Sequence, residues 1–322
     1  MWQCSWMNLR KTKAMQDVAE QRPRAESPAE IARLMRSASR ASVLVAVTLI
    51  LAKAVAWALG GSVSVLASLV DSLMDSLASL LNLLAVHYAL QPADKDHRFG
   101  HGKAEFLAGL GQALFIGGSA VFLAWQGLAR LLDPVAPSEM GLSLGVLVCS
   151  MLATLGLLAW QRHVIRRTGS MAIRADALHY ASDLLSNAGV ILALLLAAMG
   201  WIFFDPLFAL GIAVMIGYSA LKIGIEAVDQ LLDKELPEAV EEEIRQLAMG
   251  FEGVRGIHGI RTRQSGPVKV IQMHLEMDGD ITLRAAHELA DRVEDALRLA
   301  YPGADVIIHQ DPHCDDPSAA GH

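Results

Sequence analysis

The stretch SLVDSLMDSLASLLNLLAVHYAL, residues 68–90, sets Asp71 and Asp75 inside an otherwise apolar run. A companion further along, ADALHYASDLLSN at 175–187, carries His179 and Asp183 at the same spacing. Residues four apart share one face of an α-helix, so each stretch aims two metal-ligating side chains at one point. Facing each other, two such helices offer three carboxylates and an imidazole, a set that suits a tetrahedral divalent cation.

The setting is apolar. Hydrophobic residues make up 53% of the 322 and charged residues 19%, against about a quarter charged in soluble chains. Mean hydropathy is +0.37. A bilayer-crossing helix needs roughly 20 mostly apolar residues, and six stretches qualify: 41–60, 63–90, 106–132, 140–162, 177–200 and 203–227. Ionisable groups at membrane depth cost at least about 2.5 kcal/mol each, so they are rarely idle. The bland alternative is a water-filled vestibule lined by carboxylates. No Lys or Arg lies in the second or fifth stretch to pair with them.

Basic residues cluster before span one (Arg33, Arg36, Arg40), between spans two and three (Lys95, Arg98, Lys103) and between spans four and five (Arg162, Arg166, Arg167, Arg174). The opposite loops have none, which predicts both termini in the cytoplasm. After Leu232 the pattern changes. Residues 237–250 and 282–300 read as amphipathic helices, and 256–264, 268–277 and 304–309 as strands. The expected fold is therefore a polytopic α-helical membrane protein with six transmembrane helices and a C-terminal α+β (α-β-β-α-β) domain. Domains are expected at 36–232 and 233–313, between a disordered tail over 1–35 and a flexible tail over 314–322.

Cys4, Cys149 and Cys314 are far apart, so no disulfide scaffold is expected, and the N-terminus lacks a signal-peptide pattern. His87 lies twelve positions past Asp75, about 120° off its helical face, and is set aside as a ligand. His163 and His313 lack a partner at ligand spacing and read as solvent-exposed; His313-Cys314 either extends the cytoplasmic site or, the favoured reading, belongs to a flexible tail. Asp176 shares a stripe with Asp183 and suggests an access path. His274 sits in an alternating strand, and His309 and Asp311 lie on one side of another. Asp94, His97 and His101 form a D-x-x-H-x-x-x-H loop that serves equally well as a three-ligand metal site or a solvated turn.

From about residue 36 to Pro312 the chain resembles the cation diffusion facilitator family, closely its bacterial ferrous-iron/zinc efflux branch. The strings that carry the resemblance are the two quoted above with DHRFGHGKAE (96–105), RTRQSGP (261–267) and DVIIHQDP (305–312). It implies a homodimer in the bacterial inner membrane, a metallochaperone-like cytoplasmic domain, and exchange of Zn²⁺, Fe²⁺ or Cd²⁺ for protons. By position it assigns the transport site to Asp71, Asp75, His179 and Asp183. It puts a loop metal site at Asp94, His97 and His101. A binuclear structural or regulatory site falls at His258, His274, His287, His309 and Asp311, with Asp311 bridging. Lys103 and Asp233 match a dimer salt bridge, and Leu178 a hydrophobic gate. His179, the one imidazole among carboxylates, is the expected proton carrier. A membrane-bound metal sensor that does not transport has the same ligands. A metal-dependent hydrolase lacks an open coordination position beside a base, and no P-loop is present. No enzyme activity and no nucleic-acid partner are expected.

Overall fold

The structure, a computed structural model, describes residues 27–60, 63–132, 141–199 and 204–313. Two compact units emerge among the described residues: 31–232, and 233–313 together with 27–30.

The first unit consists of α1 (Pro28–Gly60), α2 (Val63–Ala89), α3 (Ala104–Leu132), α4 (Gly141–Thr168), α5 (Met171–Ala198) and α6 (Phe204–Leu231). Helix α1 begins earlier than expected, so residues 28–35 are not part of a tail. Ser27 caps it, its Oγ accepting from the Glu30 backbone N–H at 3.3 Å, and Pro28 follows at the first helical position. Hydropathy marks only the apolar middle of such a helix, not its polar first turns. The rest of the expected tail, residues 1–26, and the expected tail 314–322 lie outside the described residues.

By length and composition, α1, α3, α4 and α6 can each cross a membrane. Helices α2 and α5 carry the charged pairs. Large apolar side chains stand outward, among them Leu44, Leu81, Leu114, Val121 and Val214, a surface suited to lipid. Helix α3 packs along α6 more extensively than any other described pair of elements. Small residues let the two backbones approach: a Cβ built on Gly217 would lie 3.6 Å from that of Ala120, and one on Gly224 3.7 Å from that of Ala113. Without a hydrophobic force between helices in lipid, such close packing holds them together.

A buried polar layer joins α1, α2, α4 and α5. Asp176, fully buried, accepts from Ser42 at 2.5 Å and from Gln161 at 2.7 Å. The Tyr180 hydroxyl lies 2.8 Å from Ser79 Oγ and donates to the Ser42 carbonyl at 3.1 Å. Asp176 thus sits fully buried within this layer, tied to α1 and α4.

The second unit holds α7 (Glu238–Met249), β1 (Val254–Ser265), β2 (Val268–Met277), α8 (Leu283–Ala300) and β3 (Asp305–Pro312). The sheet order is β1-β2-β3, with β1 antiparallel and β3 parallel to β2. Ile271, Met273, Leu275 and Met277 alternate along β2 toward a core with Ile244, Leu289, Val293 and Leu297 from the helices. Gln272, His274 and Glu276 therefore face the other way, onto a side of the sheet that neither helix covers. Leu297 is fully buried. Leu297→Ala is expected to cost about 3 kcal/mol, which speeds hydrogen exchange of the β2 amides by roughly a hundredfold. Exchange followed by mass spectrometry on the full chain checks this.

Candidate metal centres

His179 hangs from α5 with its side chain 6% exposed, its Nε2 3.2 Å from Asp75 Oδ1 and 3.8 Å from Asp183 Oδ2. That nitrogen is buried and has no hydrogen-bond partner among the described residues. Set between two carboxylates without a well-aligned hydrogen bond, that nitrogen makes with them a donor set that a divalent cation can bind. Asp71 lies one turn before Asp75 on α2, but its side chain is outside those described. The helix placement has a cause: Ser79, one turn after Asp75, is the hydroxyl that Tyr180 meets, and Tyr180 adjoins His179. The Phe115 ring packs edge-on to His179 at 5.8 Å. Leu178 is half-buried among Ile116, Ala120, Ile216 and Ala220 of α3 and α6.

In the loop after α2, Asp94, His97 and His101 converge. Asp94 Oδ2 lies 3.3 Å from His101 Nε2, and Asp94 Oδ1 lies 3.5 Å from His97 Nδ1. Asp94 also accepts from the backbone N–H groups of His97 (2.6 Å) and Asp96 (2.9 Å), an Asx turn that shapes the loop. The His97 N–H is the main cause that holds the Asp94 carboxyl below its usual range, with both imidazoles adding to it. His101 is buried, and its Nδ1 has no described hydrogen-bond partner.

On the open side of the sheet, register builds a row of histidines. His258 pairs with His274 across β1 and β2, and His274 with His309 across β2 and β3. One step along, Glu276 pairs with Asp311. Asp311 Oδ2 lies 2.8 Å from His274 Nδ1 and 3.4 Å from His258 Nε2, while its Oδ1 lies 3.1 Å from His309 Nε2. Gly259, at φ 59°, bulges β1 beside the row; a Cβ there would sit 2.9 Å from the His274 ring.

His287 stands apart. It is exposed on α8, 3.6 Å from Asp291, and no described contact joins it to the row within one protomer. The resemblance alone supplied that ligand. Glu276 went unread in the sequence, and His313 was weighed but favoured as tail. Glu276 lies 2.9 Å from His258 and His313 lies 2.7 Å from Glu276, so His313 is not a loose tail residue. The hydrogen bond from His313, then that from His258, holds the Glu276 carboxyl below its usual range. The signal was present in the alternation of His274-Leu-Glu276 and of His309-x-Asp311-x-His313, which puts each set on one strand face.

Asp233 takes Arg263 at 3.3 Å, and Lys103 donates to the Leu231 carbonyl at 3.3 Å.

Two family models match the chain: the cation efflux transmembrane domain over residues 39–232, and the cation efflux protein cytoplasmic domain over 236–313. The chain belongs to the cation efflux (cation diffusion facilitator) family. As a member it is a membrane transporter of divalent metal cations. Relatives named cation-efflux pump FieF, from Salmonella choleraesuis (strain SC-B67) and Salmonella agona (strain SL483), are each 51% identical over 280 residues. Those matches cover 87% of this chain and 93% of each relative. Among solved structures, CzrB in a Zn form is 33% identical over 26% of this chain and 97% of its own, with a TM-score of 0.24. A MamM C-terminal domain in a nickel form is 28% identical over 25% and 100%, with a TM-score of 0.23.

Proposed function

We propose that this cation efflux protein exports Zn²⁺, Fe²⁺ or Cd²⁺ from the cytoplasm in exchange for protons, through Asp71, Asp75, His179 and Asp183. The observation that carries the reading is the orphaned, buried His179 Nε2 between Asp75 and Asp183. These ligands bind metal only with the carboxylates ionised and the imidazole neutral, so protons and metal compete for one set of atoms. An inward proton gradient then expels the metal when the cavity opens outward. Carboxylates with one imidazole accommodate Zn²⁺ and Fe²⁺ better than a thiolate-selective ion.

In this reading Leu178 closes over the site, and Asp94, His97 and His101 hold a more weakly bound ion with an open fourth position. The protein works as a carrier rather than an enzyme. It sits in the bacterial inner membrane with both termini cytoplasmic, as a homodimer whose Lys103 and Asp233 interlock near the membrane surface. The row His258, His274, His309 and Asp311 binds ions in the cytoplasmic domain and regulates or stabilises it. His287, outside the protomer's own cluster and exposed, reaches such a cluster only in a second copy.

The test is a competition flux assay in proteoliposomes with Zn²⁺, Fe²⁺, Cd²⁺ and Mn²⁺ under an imposed pH gradient. Zinc flux is expected to rise with the opposing proton gradient and to fall when a protonophore collapses it. Binding without flux would replace transport by sensing.

A further inference from the structure

We infer that Lys53 is the counter-charge of the transport site, a cation held beside the carboxylates that weakens their grip on a dication so that it can leave. The inference rests on the transport reading above. Lys53 is the only charged residue in the apolar stretch 41–60. A lysine at membrane depth is costly, and such residues face the bundle interior and mark ion pathways. The Lys53 side chain is half-buried, and its Nζ donates at 2.6 Å to the hydroxyl of Ser72, a buried residue of α2.

A lysine near a helix end ordinarily extends toward the water beyond that end. Lys53 does the reverse. It stands seven residues before Gly60, where α1 ends, which is about 10 Å along the axis. Ser72 stands nine residues past Val63, where α2 begins, which is about 13 Å along its axis. Measured from the connection between the two helices, the ammonium is drawn inward, to the depth of the ligands. Ser72 follows Asp71 directly and comes one turn before Asp75, whose Oδ1 meets His179. Neighbours at that spacing have Cβ atoms about 5–6 Å apart, which puts the ammonium within about 10 Å of the Asp75 Cβ. Over about 10 Å, with an effective dielectric of roughly 20–80, an ammonium lowers the affinity for a dication by roughly fourfold to two hundredfold. A carrier has to release its ion as well as take it, and three carboxylates with an imidazole hold Zn²⁺ strongly.

The competing account is a plain hydrogen-bonded tie between α1 and α2. Zinc flux in proteoliposomes, measured across zinc concentrations, separates the two. Lys53→Gln keeps a donor for Ser72 and drops the charge, whereas Lys53→Arg keeps both. Lys53→Gln is expected to lower the KM for zinc about tenfold and to slow kcat about as much, because the ion leaves late. Lys53→Arg is expected to stay within about twofold of the parent. A tie needs only the donor, so under it Lys53→Gln matches the parent. A KM for Lys53→Gln at or above the parent's overturns the inference, and so does a Lys53→Arg that shifts as far as Lys53→Gln. Lys53→Met, an apolar chain of similar length, carries the same expectation if Lys53→Gln does not elute as the parent does. When the parent transports zinc and these variants keep its KM, the inference fails and the transport reading stands. A parent without flux overturns both.

Discussion

Asp183→Ala is expected to reduce zinc flux in proteoliposomes by more than a hundredfold, to the level of protein-free vesicles. Asp183 Oδ2 lies 3.8 Å from the His179 Nε2 that the proposed site is built around. Asp183 supplies one of the four proposed ligands. Even the loss of a group that only supports a ligand commonly costs roughly 10–100-fold in metal affinity or activity, so an ion that has shed its water cannot be held well enough to cross. The fold is not expected to follow. Asp183 is about 40% exposed at its side chain and belongs to no hydrophobic core cluster among the described residues. The variant should therefore elute as the parent does. Appreciable zinc flux by the purified, reconstituted variant would remove Asp183 from the site.

The convergence of Asp75, His179 and Asp183 was legible in part, because helical spacing aligns Asp183 with His179 and because charge in an apolar run is conspicuous. The facing of α2 and α5 was not legible. It depends on Tyr180, Ser79 and Ser42, whose hydroxyls read as ordinary small polar residues along a helix. The α3–α6 seam was hidden for a related reason: Ala113, Ala120, Gly217 and Gly224 leave hydropathy unchanged, yet they decide how near two backbones come. In the cytoplasmic unit, strand order followed from alternation, while the row of His258, His274 and His309 needed the register. Sequence separation conceals register, since β1 and β3 meet β2 from opposite ends of the unit. His313 was misjudged because β3 was expected to stop at residue 309. It runs to Pro312, and this carries the alternation of His309 and Asp311 one step further.

His274→Ala is expected to abolish the zinc-dependent stabilisation of the cytoplasmic unit while leaving its metal-free stability almost unchanged. The two halves of that expectation have separate causes. His274 occupies the middle of the row, its ring 4.9 Å from those of both His258 and His309, and it makes the 2.8 Å contact to Asp311. Its loss leaves the outer histidines on either side of a gap in the central strand, so any ion near Asp311 loses a nitrogen ligand. The side chain nevertheless lies on the open side of the sheet, 43% exposed, away from Ile271, Met273 and Leu275. Substitutions of that kind usually stay within about 0.5 kcal/mol. An ion held at a hundred times its dissociation constant adds about 2.7 kcal/mol to the folded state, a rise of roughly 10–20 °C for a domain of this size. Melting of the cytoplasmic unit within the full chain, followed with chelator and across a zinc titration, reads both halves at once. The parent should gain stability with zinc and the variant should not, with the two coinciding in chelator. A variant that gains as much as the parent would show that the ion sits elsewhere than in the row.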